Sequence, residues 1–440
     1  MDERFDCIIV GGGIAGLSAA MILAKANRRF LLIERGEFCG AKNVSGGVLW
    51  GRDLHRLVPE YWKQDAGIER VIAHRRLTFM DDQSAFSVDF KSDHFREPPY
   101  PGLSVLRARF DEWLAAQVQD AIDRSDCADE SFLATNVLVD SVLVEDGRVV
   151  GIQAGDEQFR ADVVILAEGV NNLLTRQVGI EDEYVPADHV AVGVKEVIGL
   201  DQKVLEDRFQ LSDDSGLSNE FVGYATRGVE GGGFLYTNRS SLSVGLVLGM
   251  KDLQDKKLKP YDLLNDFKAH PVVRDMLAGG EVLEYSAHVV STGDLKGVPE
   301  KLYGDGLLVA GEAAHLLLNA GKAIQGMDYA MRSGILAAET VIESCDKGDH
   351  SADALAGYQR RLEESYVMKD MRGFQGAVHL LHDPMMFGTV PSVICDFGRS
   401  FFTVDSKPTP KTSQMLKDSV RKHGSMWQMI KLATRAARNL

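Results

Sequence analysis

The sequence predicts an α/β fold in three parts: a parallel-sheet nucleotide-binding domain, an antiparallel-sheet substrate domain and a helical C-terminal region. Three observations predict it. At the N-terminus a buried strand runs directly into a glycine-rich turn and a helix. Strand-rich patterns recur over 78–90 and 191–250, and helical patterns dominate after Ser351. A chain of 440 residues is long enough to bury a large core around such a framework.

The first unit is the most sharply patterned. Phe5-Asp6-Cys7-Ile8-Ile9-Val10 is apolar almost throughout, as a parallel strand covered on both faces must be. Gly11-Gly12-Gly13-Ile14-Ala15-Gly16 follows, then a run from Leu17 to Lys25 rich in Ala and Leu that reads as helix. A second strand over 29–33 ends at Glu34. The GxGxxG spacing gives each glycine a task. Gly11 permits the tight turn, Gly13 lets a pyrophosphate approach the backbone, and Gly16 lets helix and strand pack closely. The phosphates rest on the free N–H groups and the positive dipole end of the helix. Glu34 lies near the offset at which a carboxylate accepts from ribose hydroxyls, and its charge disfavours a 2′-phosphate. Together these features predict a Rossmann-type dinucleotide-binding unit.

Two later turns point to FAD rather than NAD. Asp162–Leu166 is a strand ending in Ala167-Glu168-Gly169, which resembles the A-(T/D/E)-G segment of FAD-containing oxidoreductases; a plain buried strand and turn is the alternative when it is read alone. The strand over 306–310 leads into Gly311-Glu312-Ala313-Ala314-His315, a turn expected to start a helix. In FAD proteins the acid of that turn bonds the ribityl chain and the helix end faces the flavin. The usual residue there is Asp, and here it is Glu312. No second GxGxxG follows a strand, and Gly231-Gly232-Gly233 lacks the pattern. No separate nicotinamide domain is therefore expected. Electrons come from a nicotinamide that docks transiently or from another protein.

Composition narrows the class further. The formal net charge of −15 argues against broad nucleic-acid binding. Five cysteines without a CxxC pair argue against an intrinsic Fe–S cluster, a zinc site or a disulfide scaffold, so no metal is expected and a reducing cytoplasm is the expected compartment. The first strand begins too early for a secretory leader, and no apolar run reaches the ~18–20 residues of a membrane span.

Four further segments carry a family resemblance. Gly40-Ala41-Lys42-Asn43-Val44-Ser45-Gly46-Gly47 resembles the GAKNVTGG loop of FixC proteins, which belong to the electron-transfer flavoprotein–quinone oxidoreductase family within the geranylgeranyl-reductase-like FAD superfamily. Val194–Ile198 resembles its GVKEV strand, Gly231–Asn238 its GGGFLYTN segment, and Asn319–Ala330 with Ser333-Gly334 its NxGxxxxGMDxAxxSG run. The resemblance spans most of the chain to about Pro391. It implies a glutathione-reductase-like FAD domain and non-covalent FAD, with electrons taken from an electron-transfer flavoprotein of FixA/FixB type and passed towards quinone. It also implies a separate ferredoxin-like FixX-type partner carrying the Fe–S cluster that these cysteines do not supply. A polyprenyl reductase of the same superfamily is the second reading. A flavin-binding subunit without turnover of its own is the third.

The flavin carries the redox chemistry, so no side chain is expected to be catalytic in its own right. The candidate cofactor set comprises Gly11, Gly13, Ile14, Ala15, Gly16, Glu34, Arg35, Lys42, Asn43, Val44, Ser45, Gly46, Arg107, Val137, Ala167, Glu168, Gly169, Gly311, Glu312, Ala323 and Ile324. Arg107 either reaches the FAD or starts its helix through an ion pair with Asp111. Lys195 and Glu196 suit ion pairing across strands more than catalysis. His315 is either a packed, hydrogen-bonded residue or a group that tunes flavin or protonates quinone. The His379/His382 pair lacks a third metal ligand. The tail after Ser406 sets eight Lys and Arg residues against Asp418 alone, with Met426–Leu432 adding apolar residues at helical spacing. It reads as an interfacial helix on the inner face of the cell membrane, a docking site for an acidic partner, or a solvated helix packed on the body. The expected FAD-binding domain is discontinuous (1–79, 105–182 and 301–346). Residues 80–104 and 183–300 form the sheet over the flavin and 347–440 the helical region, with 383–391 an apolar lip beside the pocket.

Overall fold

The computed structural model describes residues 4–43, 46–182, 186–321 and 323–439, so the candidates Val44 and Ser45 lie outside the described residues. Arg4–Val10 is the centre of the first sheet. It pairs in parallel with Phe30–Ile33 on one side and Glu157–Leu166 on the other. Leu307–Val309 and Phe132–Ala134 extend the parallel set outward. Cys7, Ile8, Ile9 and Val163 through Leu166 are completely buried, which is why the first strand reads as apolar without alternation. A hairpin of Ser141–Glu145 and Arg148–Ala154, together with Tyr303–Gly304, joins antiparallel, so the sheet is mixed.

The helix Ile14–Lys25 connects the first two strands and packs against the long helix Met327–Lys347. Their approach depends on Gly334, where a Cβ would stand 2.1 Å from the Ala15 carbonyl oxygen. The Ser-Gly pair that closes the Asn319–Gly334 run is thus a packing device.

The second sheet has nine strands. Its order is Glu281–Ser291, Val190–Gly199, Ser241–Gly249, Gly231–Thr237, Ser215–Gly223, Ile68–Met80, Gly102–Leu106 and Gly46–Trp50, with Ala85–Lys91 also on Ile68–Met80. The expected antiparallel pattern holds except where Ile68–Met80 runs parallel to Ser215–Gly223. Gly46–Trp50 and Ile68–Met80 belong to this sheet, so it reaches inside the 1–79 span expected for the first domain. Pairing between strands some 140 residues apart leaves no local trace in the sequence. One face of the sheet is closed by the helix Pro260–Ala269, whose Leu263, Leu264 and Phe267 pack on Phe221 and Leu246.

Helices dominate the C-terminal region, as the pattern after Ser351 predicts. Its last two, Thr412–His423 and Met426–Asn439, are tied to the body by Ser419 and Lys422 on Asp396 and by Arg435 on Asp383. Among the described residues, no helix is long and apolar enough to cross a membrane.

Candidate functional site

The C-terminal ends of the parallel strands and one face of the nine-stranded sheet enclose a long cleft. Gly11, Gly13, Ile14, Ala15, Glu34, Arg35, Lys42, Asn43, Gly46, Arg107, Ala167, Glu168, Gly169, Glu312 and Ile324 all line it. Residues from seven separate stretches of chain therefore meet in one place. The opposite wall comes from the sheet, through Gly193, Lys195, Phe234, Tyr236, Val247, His288 and Val290.

Four candidates serve the walls from outside the cleft. A Cβ on Gly16 would lie 1.9 Å from the Gly11 carbonyl oxygen, so Gly16 is the close-packing glycine of the turn. Gly311 has φ +70° and donates its N–H to Ser333 Oγ at 2.9 Å. The Val137 N–H donates to the Glu34 carbonyl at 3.0 Å, fixing the strand end that presents the Glu34 side chain. Ala323 lines the adjoining pocket described below. The helix expected to start at Gly311 is instead a single 3-10 turn, Gly311–Ala314, stopped by His315 at φ 53°. A four-residue turn carries little aligned dipole, so the expected dipole contribution falls away.

Gly13 and Glu312 define what the cleft accepts. The helix Ile14–Lys25 has no side-chain cap, which leaves its first N–H groups pointing into the cleft. A Cβ on Gly13 would find nothing closer than Arg107 Nη2 at 3.8 Å and Asn43 Nδ2 at 4.0 Å, so the space before those N–H groups is open. Across the cleft, Glu312 is half-buried, and its enclosed Oε1 lacks a hydrogen-bond partner among the described residues. Burial pushes its carboxyl up from the usual range, against the pull of nearby Arg107. Uncapped N–H donors at one end and a carboxylate with one unpaired oxygen at the other fit a ligand with a diphosphate and a chain of hydroxyls.

Other acids are already engaged. Glu34 accepts from the Gly12 N–H at 2.8 Å and the Gly36 N–H at 2.6 Å, holding the glycine turn as well as facing the cleft. Glu168 caps the short helix Leu173–Gln177 by accepting from the N–H groups of Leu174 and Thr175 and from the Thr175 hydroxyl. Arg107 forms the ion pair with fully buried Asp111, at 2.9 and 2.7 Å, and also lines the cleft. Asn43 donates to the same carboxylate, which ties the 40–43 loop to the helix Arg107–Asp123.

The two charged residues of the 194–198 strand separate by strand alternation. Glu196 turns to the far side and pairs with Lys268 at 2.7 Å, while Lys195 enters the cleft within 3.5 Å of the Gly46 carbonyl. Burial and the neighbouring Arg107 push Lys195 down to about 8. His288 is lowered as well, by burial and then by Lys195 and Arg107. His288 and Tyr236 are cleft residues that sequence reasoning left out, and Lys195, expected to pair across strands, lines the cleft with them. Alternation placed Lys195 and Glu196 on opposite faces, but which face met the cleft depended on the other sheet.

His315 lies away from the cleft, buried, with Nε2 at 2.8 Å from Glu181 and 3.0 Å from Asn172. It is the packed histidine of the two readings. His379 lies 3.7 Å from Asp294, and His382 Nδ1 is bonded to Glu230. Among the described residues, no three His, Cys, Asp or Glu side chains group as metal ligands.

A second, more apolar pocket adjoins the cleft. Phe234, Val247, Val290, Leu317 and Ile324 line both spaces. Beyond that shared wall the pocket runs between Gly231–Gly233 of the sheet and the helical region, where Val378, Leu381, Met386 and Phe387 close it. The 383–391 stretch supplies part of that lip, as its composition suggested.

Three family models match the chain: "FAD dependent oxidoreductase" over residues 6–129, "ETF-QO, ubiquinone-binding" over 190–290, and "ETF-QO/FixC family C-terminal domain" over 377–440. Protein FixC of Salmonella typhi is 43% identical over 94% of this chain and 95% of its own length. A probable electron transfer flavoprotein-quinone oxidoreductase of Escherichia coli is 40% identical over 96% of each. Among solved structures, a geranylgeranyl bacteriochlorophyll reductase-like protein from Thermoplasma acidophilum superposes with a TM-score of 0.72, covering 98% of this chain and 99% of its own at 19% identity. A flavin-dependent brominase shares the fold at a TM-score of 0.64 and 15% identity, covering 95% of this chain and 98% of its own.

Proposed function

Because this chain belongs to the electron-transfer flavoprotein–quinone oxidoreductase/FixC family, we propose that its two adjoining cavities are the electron-receiving and quinone-reducing halves of one oxidoreductase. The enzyme takes electrons from an electron-transfer flavoprotein and delivers them to quinone through FAD. The observation that carries this reading is the shared wall, where a polar cleft with uncapped N–H donors meets an apolar pocket.

The Rossmann-type unit holds the cofactor without a covalent bond. The N–H groups from Gly13 to Ala15 would take the diphosphate, Glu34 and Arg35 would flank the adenosine end, and Glu312 would meet the ribityl hydroxyls. FAD, when bound, supplies the two-electron redox chemistry. Arg107, Lys195 and His288 place positive or proton-bearing groups where negative charge would develop on reduction. Phe234 and Tyr236, stacked at 5.0 Å, keep that region dry. FixA/FixB-type subunits act as the donor, and a FixX-type ferredoxin-like protein supplies the cluster that the five free cysteines do not form.

Purified protein reconstituted with FAD should bleach on mixing with reduced electron-transfer flavoprotein and recover on adding a quinone analogue. A flavin that fails to cycle with both partners would defeat the reading.

We place the enzyme in the cytoplasm, on the inner face of the membrane. The tail supports this location. Trp427 is 69% and Phe402 75% exposed, Val404, Leu416 and Ile430 are also exposed, and Lys411, Lys417 and Lys431 lie on the same two helices or the link before them. Exposed aromatics among cations suit an anionic lipid surface. Replacing Trp427 and Ile430 together by Glu should reduce co-sedimentation with phosphatidylglycerol vesicles at least several-fold, with no change in FAD content. Unchanged vesicle binding would remove the tail from this role.

A further inference from the structure

The reduction of a quinone consumes two electrons and two protons, and the proposed function accounts only for the electrons. The apolar pocket is lined by Phe221, Val222, Val290, Leu381 and Phe387, yet three titratable side chains interrupt that lining: Glu220, Glu230 and His382. Burying such groups in a hydrocarbon wall is unfavourable unless they are paired. Here each has a partner. His382 Nδ1 is bonded to the Glu230 carboxylate, and Ser218 Oγ donates to Glu220 at 2.6 Å.

Their placement is specific. Glu220 projects from the sheet side of the pocket, on Ser215–Gly223, while His382 stands on the helical side, at the end of Gln375–Leu381. The bond to Glu230 occupies Nδ1, which leaves Nε2 as the other donor of the ring. His382 and Glu230 are each about one-third exposed (32% and 31%), so the pair touches both pocket and solvent. Neither residue belongs to the cleft of the Rossmann-type unit.

We propose that the His382–Glu230 pair is the proton donor to one carbonyl oxygen of the quinone, and that the Glu220 carboxyl donates to the other. This rests on the quinone-reducing reading given above. Two electrons from the reduced flavin and two protons, one from His382 Nε2–H and one from Glu220, convert each quinone C=O into C–O–H. The neutral imidazole and the Glu220 carboxylate are then reprotonated from solvent, His382 through its exposed edge. The direction in which each group is shifted agrees with this role. The Glu230 hydrogen bond raises His382 above its ordinary value against the effect of burial, with Asp294 adding to the increase. Burial raises Glu220, opposed by Ser218 and by Arg75 at 4.0 Å. His382 therefore carries its proton below its raised pKa and loses it as pH rises through that value. Quinone reduction should fall over the same range.

Stopped-flow kinetics of the FAD-loaded enzyme separate the two half-reactions. His382→Gln should lower kcat for a water-soluble ubiquinone analogue by about 100-fold, the lower end for general acid catalysis. It should remove the His382 contribution to the alkaline limb of the pH profile, leaving only the fall set by Glu220, and leave the KM for quinone within a few-fold. Glu230→Gln preserves a hydrogen-bonding side chain but removes the charge, so the limb should persist and move to lower pH. FAD content and the rate of flavin reduction by reduced electron-transfer flavoprotein report that each variant is folded. If His382→Gln reduces quinone with the wild-type kcat and pH profile, the inference is overturned while the proposed function stands. A rise in KM alone, with the alkaline limb intact, also overturns it, since that pattern marks a purely structural contact. If the wild-type enzyme reduces no quinone, the proposed function itself fails.

Discussion

Gly16→Ala should yield protein nearly devoid of FAD and less stable by about 3 kcal/mol or more. The new methyl would lie 1.9 Å from the Gly11 carbonyl oxygen and 3.2 Å from the Ile9 side chain. The first of these is backbone, locked between Ile33 and Ala167 by the strand ladder and its extensions, so it has nowhere to move. The helix Ile14–Lys25 would have to lift from the sheet, and its uncapped N–H groups would move with it. Gly13→Ala is the informative contrast. At Gly13 the nearest atoms are 3.8 Å away and φ is −84°, so a methyl group fits the protein itself. It does occupy the space in front of the helix N–H groups. The urea midpoint of the FAD-free variant should match wild type, while its FAD affinity falls at least tenfold. Equal effects of the two substitutions on stability would show that the turn does not divide its work in this way.

Arg107→Met should destabilise the protein by about 3–5 kcal/mol, the range for removing one partner of a buried ion pair. Asp111 is completely buried, and among the described residues only Asn43 would remain to satisfy it without the guanidinium. Because Asn43 brings the 40–43 loop to the same carboxylate, that loop should loosen along with the helix start. The double variant Arg107→Met/Asp111→Leu separates structure from binding. Without a buried charge, most of the lost stability should return in chemical denaturation. FAD affinity should stay low, because the cation facing Gly13 is still missing. A double variant that regains both would reduce Arg107 to a structural residue.

The parts legible in the sequence are those decided within a few residues. Strand, glycine turn and helix follow one another between Phe5 and Lys25, and steric demands at Gly11 and Gly16 are met by their immediate neighbours. The turns at Glu168 and Glu312 were legible as places where the chain comes to the cleft. What each carboxylate does there was not. Glu168 spends its oxygens on backbone N–H groups six and seven residues ahead, and Glu312 keeps one oxygen unpaired. The opposite wall was hidden for a different reason. Lys195 and His288 stand on neighbouring strands at the edge of the second sheet, and only the docking of that sheet against the parallel strands turns their face toward the cleft. The His382–Glu230 contact joins residues 152 positions apart, and the His379/His382 spacing that marks one of them says nothing of the other.

The wall common to both cavities has one more consequence. It is only as thick as the side chains of Phe234, Val247, Val290, Leu317 and Ile324. Electrons tunnel through so thin a layer of hydrocarbon without any atom changing place, whereas a proton needs an unbroken chain of polar atoms, and these five side chains supply none. On the proposed function, the two currents that would meet on the quinone enter by separate doors. Charge arrives through an insulator from inside the protein, and hydrogen ions arrive from the solvent side.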